Sequence, residues 1–259
     1  MTHITTAWIL AIGLFVGMLI LLEAGRKIGQ SRLANDPEGA RIGTGAVEGA
    51  VFGLLGLLIA FTFSGAASRF DARRDLIVQE TNAIGTAWLR LDLLPASAQP
   101  AIRESFRQYV DARLEVYHKI PDIKAARAEL ARAAALQGEI WTQAIAAGRL
   151  ETAPPPATLL LLPALNEMFD ITTTRTTATR LHPPTIIFIM LCGLALVSAL
   201  LAGYSMAGGK SRSWLHIIGF AAITAAAVYV IIDIEFPRVG LIRVDAFDQS
   251  LVELRASMK

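Results

Sequence analysis

The chain has 259 residues and a formal net charge of +2; 54% of its residues are hydrophobic and only 18% are charged. About 25% of the residues in an ordinary soluble domain are charged, so this composition excludes a typical water-soluble protein, a disordered chain and a collagen-like repeat. The balanced charge gives no reason to expect nucleic acid as a partner. The single cysteine, Cys192, excludes an intrachain disulfide and a cysteine metal cluster.

Four segments lack Asp, Glu, Lys and Arg over a length that could cross a bilayer. A membrane-spanning helix needs about 20 mostly apolar residues, and each gap reaches that length. The segments lack the alternating pattern of barrel strands, and backbone groups in lipid must be hydrogen-bonded internally. The sequence therefore predicts an all-α integral membrane protein whose four transmembrane helices have cores at Ala7–Leu22, Val47–Ala67, Pro184–Met206 and Trp214–Ile232.

The residues between the second and third spans are mostly polar and read as helices. Phe63, Phe70, Ile77, Ile84 and Leu91 recur every seven residues, which predicts that the second span continues out of the membrane as one helix to about Leu94-Pro95. Further helices are predicted over 101–119, from Pro121 onward, and over 157–180. The predicted organisation is two spans (1–68), a helical domain (69–182), two spans (183–235) and a C-terminal tail (236–259).

The second span carries two different side-chain patterns. Small residues form one stripe, and a bulky apolar face with an acidic start lies beside it. The small stripe predicts close helix packing, since small residues let helices approach in lipid. The stripe contains Gly49, Gly53, Gly56 and Ala60, and the bulky face contains Glu48, Phe52, Leu55, Ile59 and Phe63.

Two interpretations of the bulky face stay open. It either meets lipid and other helices, or it forms an apolar constriction in a pore. In the second case Leu55, Ile59 and Phe63 form the neck, with Glu48 and Phe52 at the mouth. Glu48 would then attract cations, whereas in the first case it simply stabilises a helix N-terminus.

Charged residues flank the apolar segments. Arg69, Arg73 and Arg74 either anchor the helix at the membrane boundary or line a vestibule that attracts anions. Asp233 and Glu235 either mark the end of the fourth span or contribute to a site for a hard cation such as Ca²⁺. The sequence contains no recognised catalytic, nucleotide-binding or histidine metal motif, so neither an enzyme nor a cofactor is predicted.

The stretch Gly56 to Pro95 resembles a bacterial bestrophin-like membrane family and, at lower similarity, the bestrophins. The resemblance is carried by Phe63, the small and polar run Ser64 to Ser68, Arg69-Phe70, and the run Asp71 to Arg74. It implies that Leu55, Ile59 and Phe63 match the narrow apolar neck of those proteins. The tryptophan pair that follows the pore helix in bestrophins is absent here.

The segment Asp233 to Leu254 resembles the acidic, proline-containing segment after the last bestrophin span, with Asp233, Glu235 and Pro237 as matching positions. Animal relatives bind Ca²⁺ there, but the full acidic cluster is missing from this chain. The resemblance further implies a homopentameric ion channel of the bacterial inner membrane, with the helical domain and both termini in the cytoplasm. Charge counting alone leaves the orientation undecided.

The sequence thus predicts a homo-oligomeric passive ion channel whose partners are the lipid membrane, further copies of the chain and permeant inorganic ions. The selectivity stays open, because the arginines suggest anions and a ring of Glu48 suggests cations. The alternative is a non-conducting membrane scaffold or sensor whose helical domain binds a partner.

Overall fold

The computed structural model describes residues 3–36, 44–209 and 211–259, and these residues form helices and connections without a β-strand. Short 3-10 turns follow α2 and α6 and precede α8, at Leu91–Leu93, Met206–Gly208 and Asp245–Asp248. The α-helices are α1 (His3–Asn35), α2 (Thr44–Arg90), α3 (Gln99–His118), α4 (Ile123–Gly148), α5 (Pro156–Ala178), α6 (Thr185–Ser205), α7 (Trp214–Glu235) and α8 (Gln249–Ser257).

The helices α1, α2, α6 and α7 are each long and apolar enough to cross a membrane. They confirm the four predicted spans and the all-α membrane fold. The second span does continue without a break, since α2 has 47 residues and ends at Arg90. At 1.5 Å per residue, α2 is about 70 Å long, more than twice the thickness of a bilayer's hydrocarbon core.

The chain divides into two compact units. The first, which we call the membrane unit, comprises Met1–Arg69 and His182–Ile242. The second, the helical unit, comprises Phe70–Leu181 and Arg243–Lys259. The predicted C-terminal tail, 236–259, is therefore divided: its residues up to Ile242 belong to the membrane unit and those from Arg243 onward to the helical unit. Helix α2 likewise contributes residues to both units.

Within the membrane unit, α1 packs against α6 and α7. Glycines make the contact between α1 and α6 close. A Cβ atom on Gly25 would collide with the carbonyl oxygen of Leu200, and one on Gly203 would collide with the carbonyl oxygen of Leu22. Close approach at small residues is the usual way in which helices associate in lipid, and here it joins α1 to α6.

The helical unit has its own apolar core. The α3–α4 pair, α5, the last turns of α2 and α8 surround buried side chains that include Ile84, Leu91, Phe106, Tyr109, Ile140, Leu161, Leu165, Met168 and Leu251. Asp122 caps α4 by accepting hydrogen bonds from the backbone N–H groups of Lys124 and Ala125.

The threonine-rich end of α5 is helical although β-branched residues disfavour helix. Its hydroxyl groups donate to carbonyl oxygens one turn earlier: Thr172 to Met168 at 2.9 Å, and Thr176 to Thr172 at 2.8 Å. These bonds satisfy the hydroxyls inside the helix.

Candidate functional site

One side of α2 is exposed over most of its length. Ten residues spaced alternately by four and three positions are all exposed in the protomer, and we call them the outward stripe. Its bulkiest apolar members are Leu54, Leu57 and Phe61, which are 56%, 52% and 67% exposed. The outward stripe consists of Ala50, Leu54, Leu57, Phe61, Ser64, Ser68, Asp71, Asp75, Val78 and Asn82.

The residues expected to form a pore neck do not share one exposed face in the protomer. Leu55 is 4% exposed and Ile59 is half-buried, whereas Phe63 is 45% exposed. The reason is helical phase: Leu55 lies on the side of α2 that faces the rest of its own membrane unit, nearly opposite Leu57. Exposure therefore favours Leu54, Leu57 and Phe61 over Leu55 and Ile59 as the bulky residues that a lumen could reach, whereas Phe63 is itself exposed.

The expected pore-mouth residues also face the interior of the membrane unit. Glu48 is buried, and its carboxylate accepts a hydrogen bond from the hydroxyl of Ser205 on α6. Phe52 packs edge-to-face on Phe220 of α7, with ring centroids 6.1 Å apart. A ring of exposed Glu48 carboxylates does not follow from this placement, because the carboxylate is used within the protomer.

The small-residue stripe of α2 is exposed. Gly49, Gly53, Gly56 and Ala60 lie on its surface, and a Cβ atom added to any of the three glycines would meet no atom within 4 Å. The close glycine packing within the protomer is instead that of α1 on α6. A packing role for the stripe on α2 therefore stays a prediction for contacts between copies of the chain.

The three arginines after the second span are bonded to groups of their own unit. In the membrane unit, Arg69 donates from Nε to Glu235 at 2.7 Å. In the helical unit, Arg73 is buried and donates to the backbone carbonyls of Ala178 and Leu181, at 3.3 and 2.9 Å.

Arg74 donates to Asp71 at 3.0 Å, and its guanidinium lies 4.2 Å from the ring centroid of Phe247. All three arginine side chains thus have partners in the protein, but those of Arg69 and Arg74 are 33% and 39% exposed, and the anion-attracting vestibule stays a prediction.

The two carboxylates at the end of α7 are occupied by protein donors. Asp233 accepts from the backbone N–H groups of Leu241 and Ile242, at 2.9 and 2.7 Å, and from the hydroxyl of Tyr229 at 3.1 Å. A Cβ atom on Gly240 would collide with this carboxylate, so glycine permits the loop to fold onto it.

Glu235 pairs with Arg69 and lies 3.4 Å from Nδ1 of His182. Across the described residues, no three His, Cys, Asp or Glu side chains come together in a way that could hold a metal ion. The structure therefore gives Asp233 and Glu235 the role of holding the chain after α7, and it does not support a Ca²⁺ site.

The helical unit contains a buried charge cluster that sequence reasoning missed. Glu80 of α2 is fully buried and accepts from Arg113 of α3, at 2.5 and 3.1 Å, and from Arg175 of α5 at 2.5 Å. Arg175 also donates to Asp248 at 2.8 Å, and Arg113 donates to the hydroxyl of Tyr117 at 2.8 Å. Four separate segments of the helical unit meet here, and no local sequence motif predicts the cluster.

Tyr109, beside this cluster, is also buried. The Tyr109 hydroxyl lies 2.7 Å from the hydroxyl of Thr172 and accepts a hydrogen bond from Gln137 at 3.3 Å. Burial raises the pKa of Tyr109 to about 12. The cluster and its surroundings hold helices of the helical unit together.

Comparison with known proteins places these features in a family. The family model for a Bestrophin-like domain matches residues 29–246. The fold is similar to that of a bacterial bestrophin homologue from Klebsiella pneumoniae carrying a tryptophan-to-alanine mutation, with a TM-score of 0.66 and 14% identity over 95% of this chain and 98% of that one.

A tyrosine-to-alanine variant of the same homologue gives a TM-score of 0.63 and 15% identity over 94% of this chain and 99% of that one. A structure described only as a membrane protein with a proline-to-alanine mutation gives 0.60 and 14% identity over 94% and 99%. No curated protein matches the chain in sequence.

Proposed function

The chain belongs to the Bestrophin-like family, and from that premise we propose that several copies of it form a passive ion channel in a bacterial inner membrane. The outward stripe of α2 is the observation that carries this proposal. Each copy would contribute its α2 to a central pore, and ions would move down their electrochemical gradient without covalent chemistry. By the family resemblance, the number of copies is five and the helical unit and termini are cytoplasmic.

The composition of the outward stripe supports a lumen better than a lipid contact. A lipid-facing side of a helix is apolar through the membrane and carries no particular pattern beyond it. Here the apolar residues give way to Ser64 and Ser68 and then to Asp71 and Asp75, all on the same side of one unbroken helix. Such a sequence of small hydroxyl and acidic groups suits a water-filled path.

The proposed neck is a ring of Leu54, Leu57 and Phe61 from each copy. These side chains are 56%, 52% and 67% exposed in the protomer, so they are free to approach their counterparts. An apolar constriction of this kind can gate by dewetting. The exposed stripe of Gly49, Gly53, Gly56 and Ala60 lies beside it, and it would let α2 helices of adjacent copies pack closely.

The charges next to the outward stripe favour cations. Arg69 and Arg73 are bonded within their own units and Arg74 pairs with Asp71, whereas Asp71 and Asp75 both lie exposed on the outward stripe itself. A ring of aspartates at the entrance to an apolar neck raises the local concentration of cations. Glu48 has no part in this, because it is buried against Ser205.

Planar-bilayer recordings test the proposal with a matched pair of substitutions. Leu57→Ala should widen the neck and raise the unitary conductance, whereas Leu55→Ala, two residues away on the buried side, should leave the conductance unchanged and lower the melting temperature. A KCl gradient across the bilayer gives the sign of the reversal potential, which we expect to be that of a cation channel.

The opposite result has a defined meaning. If Leu55→Ala alters the conductance and Leu57→Ala does not, the neck consists of Leu55, Ile59 and Phe63 as the family resemblance implies. Folded, oligomeric protein without current in wild-type or variant form would favour the non-conducting scaffold or sensor.

A further inference from the structure

A groove on the membrane unit lies outside the proposed pore. It has a volume of about 580 Å³ and runs between the second half of α1, the end of α6 and the start of α7. One end is basic and the other is apolar. The basic end is lined by Arg26, Lys27 and Arg212, and the apolar end by Val16, Ile20 and Ile217.

The basic end carries more positive than negative charge. Among the described residues that line it, only Glu23 is acidic, and Glu23 pairs with Arg26 at 3.4 Å and with Arg212 at 3.0 Å. Three cations against one carboxylate leave an excess of two positive charges. Lys27 and Arg212 are both exposed, so their charged groups are available to a ligand that enters from outside.

The apolar end continues along the part of α1 that lies within the membrane. Val16 is 46% exposed and Ile20 is 63% exposed, and both precede the first charged residue of α1. Trp214 lies between the two ends and is 56% exposed, with the Arg212 guanidinium 5.7 Å from its ring centroid. Tryptophan and arginine at this level are typical of the boundary between headgroups and acyl chains.

We propose that this groove binds an anionic phospholipid. Its phosphate is held by Lys27 and Arg212, and one acyl chain lies along Val16, Ile20 and Ile217. The two excess positive charges select an anionic headgroup, such as that of phosphatidylglycerol, over zwitterionic phosphatidylcholine, whose choline adds a cation at the same place. The apolar end is the part that a free phosphate ion would leave unfilled.

Native mass spectrometry of the purified, delipidated oligomer tests the proposal with phosphatidylglycerol and phosphatidylcholine added separately. We expect phosphatidylglycerol to bind the wild-type protein at least about tenfold more tightly than phosphatidylcholine does. Each basic residue near an anionic headgroup increases the affinity several-fold, and two such residues act here. Lys27→Gln/Arg212→Gln should reduce this preference to about that for phosphatidylcholine. The control Arg32→Gln/Arg180→Gln removes the same charge from exposed positions outside the groove and should keep the preference.

A second variant tests the apolar end without altering charge. Val16→Trp should fill the groove and weaken phosphatidylglycerol binding while the size-exclusion profile stays that of the wild type. Equal binding of the two lipids to the wild-type protein overturns the proposal, and so does undiminished preference in Lys27→Gln/Arg212→Gln. Displacement of the lipid by millimolar inorganic phosphate would also overturn it, by showing that the basic end acts alone. These outcomes do not depend on whether the protein conducts ions.

Discussion

At the scale of single residues, the most constrained group in the chain is the Glu80 carboxylate. It is fully buried and is shared by two guanidinium groups from different helices. Burying a charge is costly unless it is paired and hydrogen-bonded, so the carboxylate and the two arginines depend on one another. The cluster holds α2, α3, α5 and the turn before α8 in one arrangement.

Glu80→Gln should therefore destabilise the protein strongly. The substitution keeps the shape of the side chain but leaves two buried cations with one negative partner, Asp248. Removing one partner of a buried ion pair costs about 3–5 kcal/mol. Thermal unfolding in detergent, followed by circular dichroism at 222 nm, should show a clearly lower melting temperature.

Glu104→Gln is the matched control, because Glu104 is an exposed partner of Arg107 on α3. It should leave the melting temperature unchanged, since exposed ion pairs contribute little. Arg113→Lys should resemble Glu80→Gln, because lysine cannot make the two-pronged contact with the carboxylate. Equal melting temperatures for wild type and Glu80→Gln would show that the cluster does not stabilise the fold.

At the scale of elements, the sequence predicts the helices well and the faces of α2 only in part. Charge gaps are a direct consequence of the cost of charge in lipid, so they locate all four spans. Beyond the membrane, Ile77 and Ile84 of the seven-residue repeat are buried as such a repeat requires.

Inside the membrane the same reasoning does not distinguish Leu55 from Leu57. The second span is apolar all round, and hydrophobicity does not distinguish a side that meets other helices from a side that meets lipid or a lumen. Only the packed structure shows that Leu55 is buried and Leu57 is exposed. The Glu80 cluster is missed for another reason, because its members are up to 168 positions apart in sequence and only the tertiary fold brings them together.

The contact of α1 with α6 gives a prediction at this scale. Gly25→Ala should lower the melting temperature or prevent folding, because its Cβ would collide with the backbone of Leu200, which a side-chain rotation cannot relieve. Gly13→Ala on the same helix is the control: no atom lies within 4 Å of its added Cβ, and alanine favours helix. A melting temperature of Gly25→Ala that equals or exceeds that of Gly13→Ala would contradict the close contact of α1 with α6 at Gly25.

At the scale of the whole molecule, a single copy leaves α2 incompletely covered. The outward stripe and the neighbouring glycine stripe together expose most of one half of this helix. A monomer would present that half to lipid and water, whereas an oligomer with α2 at its centre would use both stripes. The two arrangements differ in what Ser64 meets, which is lipid in the monomer and other copies of α2 in the oligomer, whereas Ala66, two residues away, is buried within its own copy in both.

Cysteine crosslinking separates these arrangements. In a Cys192→Ser background, Ser64→Cys on the outward stripe should react with a short bis-maleimide in membranes to give a covalent dimer on a denaturing gel, because copies of α2 would meet around the axis and each chain then carries one thiol. Native mass spectrometry of the untreated oligomer counts the subunits, and the family resemblance predicts five.

Ala66→Cys is the control, since Ala66 is fully buried in its own protomer and should remain monomeric under the same treatment. If Ser64→Cys yields no covalent dimer while the untreated protein elutes as an oligomer in size-exclusion chromatography, α2 lies away from the symmetry axis and the outward stripe faces lipid. If both cysteines crosslink equally, the buried side of α2 described here is accessible to other copies, and the exposed neck of Leu54, Leu57 and Phe61 loses its basis.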